Sequence, residues 1–216
     1  MPPVTLTTTR PARRAASPRP AIRTAVKPPA VPREQCILLY GDWNLYLRLD
    51  TEFTGTGVRV TYLNGVIEIM SISPLHEQIK VNIGRLVEAY CLHQGIFFGA
   101  RGGPTHKKQE ERAGEPDESF SFERGREMPQ LVIEVALTSG GLNKLDFWGG
   151  FPIEEVWIWK KRKLHFFRWQ GAKYAEQSKS MLVPGFKSQW VERFAETRET
   201  SDMLREFNAL QKSEAQ

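Results

Sequence analysis

Three side chains have the types and spacing to do chemistry together. Asp117 closes the triplet Glu115-Pro116-Asp117, Glu134 sits inside the run Leu131-Val132-Ile133-Glu134-Val135-Ala136-Leu137, and Lys144 follows shortly after. A run so apolar reads as a strand buried on both faces. An unpaired carboxylate there costs several kcal/mol or more, so the fold must supply a cation or keep Glu134 protonated. If residues 123–129 form the turn of a hairpin, its centre falls near Gly125-Arg126, and pairing outward brings Asp117 opposite Glu134. Cross-strand partners have Cβ atoms roughly 4.5–5.5 Å apart, where like charges repel. Two carboxylates so placed call for a divalent ion between them, and the chemistry this suggests is metal-assisted hydrolysis.

The elements that must hold these groups follow from periodicity. A hairpin is predicted over Val58–Tyr62 and Val66–Met70, turning at Asn64-Gly65, a strong two-residue turn signal. Ser73-Pro74 reads as the N-cap and first turn of a helix. Leu75, Ile79, Ile83, Leu86, Val87 and Tyr90 continue it at helical spacing, and Gly95 closes it. A short strand is expected at Ile96–Phe98, a polar Gly-rich loop over Arg101–Ala113, then the Asp117 and Glu134 strands. The Ser139-Gly140-Gly141 turn opens a short helix to about Trp148. A hairpin over Val156–Trp159 and Leu164–Trp169 surrounds the basic turn Lys160–Lys163, and a helix is expected from Trp190 to about Leu210. This order fits a mixed α/β core.

Composition narrows the function classes. Of 216 residues, 40% are hydrophobic, enough for one core of ordinary size, and no stretch approaches the roughly 20 apolar residues of a membrane span. Cys36 and Cys91 have no metal-ligand spacing and fit a reducing compartment. With no apolar segment after the basic start, a cytoplasmic location is expected. The +5 net charge is unevenly spread: residues 1–34 hold seven basic groups and one acid, while the rest holds 23 basic and 24 acidic groups. Overall charge therefore does not argue for nucleic-acid binding by the folded part. The Pro- and Arg-rich residues 1–34 are expected to form a disordered arm, with the main domain over 35–195 and a C-terminal helix or tail over 196–216.

At these residues the chain resembles the Uma-type restriction endonuclease domains, a branch of the PD-(D/E)XK nuclease superfamily. The matching pieces are YLNGVIEIMSISPLHE (62–77), GEPDESF (114–120), LVIEVALTSGGLNK (131–144) and PIEEVWIWK (152–160). The resemblance implies a restriction-endonuclease-like α-β-β-β-α-β core with a mixed central sheet, acting as an endonuclease on DNA. It makes Asp117 and Glu134 the ligands of Mg²⁺, with Mn²⁺ as a substitute and the Val135 backbone carbonyl as a further ligand. Ala136 stands where the superfamily usually carries a lysine, and Lys144 matches the lysine moved to the following helix, assisting the attacking water. Glu77, beside His76, corresponds to a polar position that often joins the site. Superfamily members often cut both strands as dimers, which makes a homodimer an open alternative.

Gln130 and Asn143 stand where the family commonly shows acids. They motivate a rival reading, a nuclease-fold DNA-binding protein without turnover. The loop Arg101–Lys108 and the turn Lys160–Lys163 are candidate phosphate contacts, with Trp157, Trp159 and Trp169 placed to stack on bases, against a plainer reading as a solvated hairpin over a tryptophan-rich core. His76, His93, His106 and His165 show no paired zinc spacing. There is no Ser-His-Asp elbow, P-loop or dinucleotide fingerprint.

Overall fold

A computed structural model describes residues 34–138 and 141–214. Apart from Glu34, the arm expected to be disordered lies outside the described residues, as does the Ser139-Gly140 part of the expected turn. The elements run β1 (Gln35–Tyr40), α1 (Trp43–Phe53), β2 (Val58–Leu63), β3 (Val66–Ser71), α2 (Pro74–Gln94), β4 (Gly99–Ala100), β5 (His106–Lys108), β6 (Arg112–Gly114), β7 (Glu118–Ser121), β8 (Leu131–Ala136), α3 (Lys144–Trp148), β9 (Glu155–Lys160), β10 (Lys163–Trp169), β11 (Tyr174–Gln177), α4 (Ser188–Phe194) and α5 (Thr200–Glu214). Within them α2-β4-β7-β8-α3-β9 forms the expected α-β-β-β-α-β core.

Two sheets carry the architecture. One has the order β1-β3-β2-β6-β5 and the other β11-β10-β9-β8-β7-β4. The second is mixed, because β8 and β9 run parallel while its other pairs are antiparallel. A parallel pair needs a crossover, and α3 lies in it, which fixes Lys144 above the end of β8. One face of this sheet, with Ile133, Val135, Trp157 and Phe166, packs against α2, α4 and α5 in the main core. The opposite face places Val132 and Val156 against Phe147 and Trp148 of α3.

Local chemistry explains the elements that position the site. Asn64 and Gly65 take φ of 47° and 86°, the left-handed pair of a type I′ turn, so β2 and β3 pair from Leu63↔Val66 outward. Lys161 and Arg162 (φ 52° and 61°) make the corresponding turn between β9 and β10. Helix α2 starts with the Ser73 side chain accepting from the His76 N–H at 3.1 Å and ends at Gly95 with φ 68°. Its buried stripe begins at His76, fully buried, whereas Leu75 is 47% exposed.

Several expectations shift. The strand expected at Ile96–Phe98 is at Gly99–Ala100, and the loop expected over Arg101–Ala113 contains β5 and β6. The C-terminal helix is two, broken between Phe194 and Thr200, and α5 buries Met203 and Phe207 in the main core. Trp157 and Trp159 are core side chains, 0% and 1% exposed, so neither is available to stack on a base. No helix among the described residues is long and apolar enough to cross a membrane.

Candidate active site

Glu134 lies on the central strand β8 and is 3% exposed. The β7–β8 ladder pairs Glu118 with Ile133 and Ser119 with Val132. One rung further, Asp117 faces Glu134, the register expected from the sequence. The Val135 N–H donates to Asp117 Oδ2 at 2.7 Å and ties the two strands beyond the last regular rung. A strand residue's N–H and C=O leave on the same side, so the Val135 carbonyl also points toward Asp117.

Asp117 is enclosed by cations. Its Oδ1 accepts from Arg59 of β2, and His76 Nε2 of α2 lies 2.8 Å from the same oxygen. The other ring nitrogen of His76 is 2.6 Å from Glu34. A neutral imidazole has one N–H, so His76 donates to both carboxylates only as the imidazolium. Burial alone lowers the basicity of His76, but the bonds and charges of Asp117 and Glu34 overcome it and raise its pKa to about 9. Burial would raise Asp117, yet His76, Arg59 and the Val135 N–H hold it down to about 2.

Glu134 has weaker support. Its Oε1 accepts from the Trp148 indole at 2.7 Å, and its Oε2 is 3.7 Å from Lys144 Nζ. Burial pushes Glu134 up to about 7; Lys144 opposes that shift and the charge of Asp117 adds to it. Lys144 bridges to Glu68 of β3, Nζ to Oε1 at 3.0 Å. Burial would lower Lys144, but Glu134 and Glu68 raise it above the ordinary lysine range, so it stays an ammonium at neutral pH. Glu68 also accepts from the Leu142 N–H at 2.7 Å. Gly141 lies flat against it, and a Cβ at that position would collide with Glu68 Oε2.

The structure thus brings Asp117, Glu134, Val135 and Lys144 together. Glu77 stays at the rim, its side chain 46% exposed, 2.9 Å from Lys80 and 3.8 Å from Arg59. Gln130 is a brace: its amide oxygen accepts from the Phe122 N–H at 2.8 Å and its amide nitrogen donates to Glu123 and Glu154. Asn143 is the N-cap of α3, accepting from the Leu145 N–H at 3.1 Å. In the Arg101–Lys108 loop, Lys107 pairs with Asp50 and Lys108 with Glu111.

Two carboxylates and a backbone carbonyl are the hard oxygen donors that Mg²⁺ takes, with water completing its shell. Among the described residues no group of three or more His, Cys, Asp or Glu side chains is arranged around one ion position. Asp117 Oδ1 has both lone pairs committed to Arg59 and His76, so an ion must use Oδ2 or displace Arg59. The donor chemistry therefore fits a divalent ion held by few protein ligands.

A family model described as "Uma2: Putative restriction endonuclease" matches residues 43–191. The chain belongs to the Uma2 family. No curated protein matches the sequence. It is similar to a solved structure from Anabaena variabilis ATCC 29413, described as "a putative nuclease belonging to DUF820", at 13% identity and a TM-score of 0.44, covering 68% of this chain and 90% of that one.

Four residues around the Asp117–Glu134 site were not singled out from the sequence: Glu34, which precedes the matched Uma2 residues, and Arg59, Glu68 and His76 within them. Glu68 carries the signal used for Glu134, one carboxylate inside an apolar strand, Val66-Ile67-Glu68-Ile69-Met70. His76 stands three residues before Ile79 on the buried stripe of α2, one position from the expected Glu77. Nothing in the local sequence marks Glu34 or Arg59.

Proposed function

We propose that this Uma2 domain is an endonuclease that hydrolyses phosphodiester bonds of DNA with a divalent ion, Mg²⁺ or Mn²⁺, held by Asp117, Glu134 and the Val135 carbonyl. The observation that carries it is the Asp117–Glu134 rung with Lys144 3.7 Å from Glu134. When bound, the ion supplies positive charge to the phosphoryl oxygens and acidifies a bound water. Lys144, kept charged between Glu68 and Glu134, acts on the attacking water or a phosphate oxygen as a hydrogen-bonding point charge. Asp117, already ionised, needs no proton removed to serve as a ligand. Glu77 acts at the rim by steadying Arg59. The free thiols Cys36 and Cys91 accord with a reducing, cytoplasmic setting.

Supercoiled plasmid and linear single strands incubated with the protein in Mg²⁺, Mn²⁺ or EDTA test this reading. Metal-dependent cleavage lost in both Asp117→Asn and Glu134→Gln is the expected result. Early linear product marks copies acting in pairs, and nicked circles mark single copies. One observation favours a second reading, DNA binding without turnover: the cations already seated on Asp117 can hold the site closed to an ion. Salt-sensitive DNA binding by the folded protein, with no product in either metal, selects that reading.

A further inference from the structure

Glu134 opens onto a cavity of about 590 Å³ that continues along the sheet over β9, β10 and β11. Register explains its shape. Glu134 pairs with Ile158, and Ile158 pairs with His165, so the three stand in one row on one face of the sheet. One residue pair further, Ala136 aligns with Lys160. Neighbouring strands lie roughly 4.8 Å apart, which places the His165 backbone on the order of 10 Å from that of Glu134. One phosphate cannot touch both positions, but successive phosphates of one strand can.

The groups along this row are held ready. His165 Nδ1 is 2.7 Å from Glu176 across the β10–β11 pair, and its ring stacks on Phe167 with centroids 6.4 Å apart. Its second ring nitrogen has no protein partner among the described residues. Each acid lining the cavity already has a basic partner, though two of those partners are shared: Glu34 faces His76, which Asp117 also uses, Glu68 and Glu134 share Lys144, and Glu176 faces His165. Lys160 is exposed and has no carboxylate within ion-pair reach among the described residues. It is the uncommitted cation on a wall that is otherwise rich in carboxylates.

We propose that Lys160 and His165, the latter fixed by Glu176, form a subsite for the phosphate adjacent to the scissile one on a nucleic-acid strand. The inference rests on the nuclease reading of Glu134 and Lys144. Lys160 contributes charge and His165 a hydrogen bond, so the strand crosses β9 and β10 on its way to the carboxylate pair. Glu176 is a positioning residue that acts through His165.

The test is fluorescence anisotropy of a labelled oligonucleotide with the full chain in EDTA, over a series of KCl concentrations. Lys160→Ala should flatten the slope of log K against log salt by about one unit, the signature of one lost phosphate contact. His165→Ala should weaken binding at fixed salt. Lys212→Ala, on α5 and behind the opposite face of the sheet, should leave the slope as in the wild type. Wild-type binding with an unchanged slope in Lys160→Ala overturns the subsite while leaving the nuclease reading intact. No salt-dependent binding by the wild type, together with no cleavage of plasmid, overturns both.

Discussion

Asp117 and Glu134 face each other across one rung of one sheet, yet they occupy opposite electrostatic worlds. Asp117 has three donors and is held as an anion. Glu134 has an indole N–H and a lysine at 3.7 Å, and burial keeps its proton on to about pH 7. The difference comes from neighbours rather than exposure, since both are almost fully buried. Asp117 borrows charge from two elements outside its own sheet, β2 and α2. Glu134 shares its one cation with Glu68. A buried carboxylate pair thus divides its work: one member is paid for by the scaffold, and the other keeps capacity for a ligand.

The largest effect that would break this comparison is on turnover. Glu134→Gln and Asp117→Asn should each lower cleavage by more than the roughly 10–100-fold typical of losing an outer partner of a metal ligand, measured as initial nicking rate. Stability should then split the pair. Asp117→Asn leaves Arg59 and His76 without their shared anion and should lower the unfolding free energy by about 3–5 kcal/mol. Glu134→Gln replaces a group that burial already disfavours as an anion, so urea unfolding at pH 8 should show no loss. Equal destabilisation by both would erase the distinction.

The pH dependence sharpens it further. His76 has a folded pKa of about 9, above its ordinary 6.5, so its contribution is complete below about pH 6.5 and lost as pH rises through 9. That shift corresponds to on the order of 3 kcal/mol. Wild-type stability should therefore fall over this window more steeply than that of His76→Gln; parallel curves would show that His76 carries no such charge. Arg59→Met should tighten Mn²⁺ binding several-fold, because Asp117 Oδ1 regains a lone pair; weaker binding would mean that Arg59 supports the ion site instead of competing for it. The smallest effect belongs to Asn143→Ala, which should remove about 1 kcal/mol of stability through the lost N-cap with Mn²⁺ affinity unchanged.

The sequence shows the ladder of this site better than its surroundings. Both hairpin turns, the capping of α2 and the Asp117–Glu134 register are local consequences of turn chemistry and period-two pairing, so they are legible residue by residue. Helix α1 also had a signal, since Asp42 caps it and Tyr46, Leu49 and Phe53 follow at helical spacing. What is not legible is the traffic between elements. Arg59 reaches Asp117 across 58 residues of chain and Glu34 reaches His76 across 42; no local pattern encodes such pairings. The tryptophans of β9 follow the plainer of their two readings: alternation places them on one face, and packing by α2 and α4 seals that face in the core.

Gly141 carries a consequence for how variation in this protein would be read. It has no side chain to bind or react, yet the room it leaves is where Glu68 turns toward Lys144. Gly141→Ala adds a single methyl group, and the Glu68 carboxylate must rotate away to admit it. In a mutational screen scored by activity alone, this glycine would look like a member of the chemical machinery, although what it contributes is vacant space.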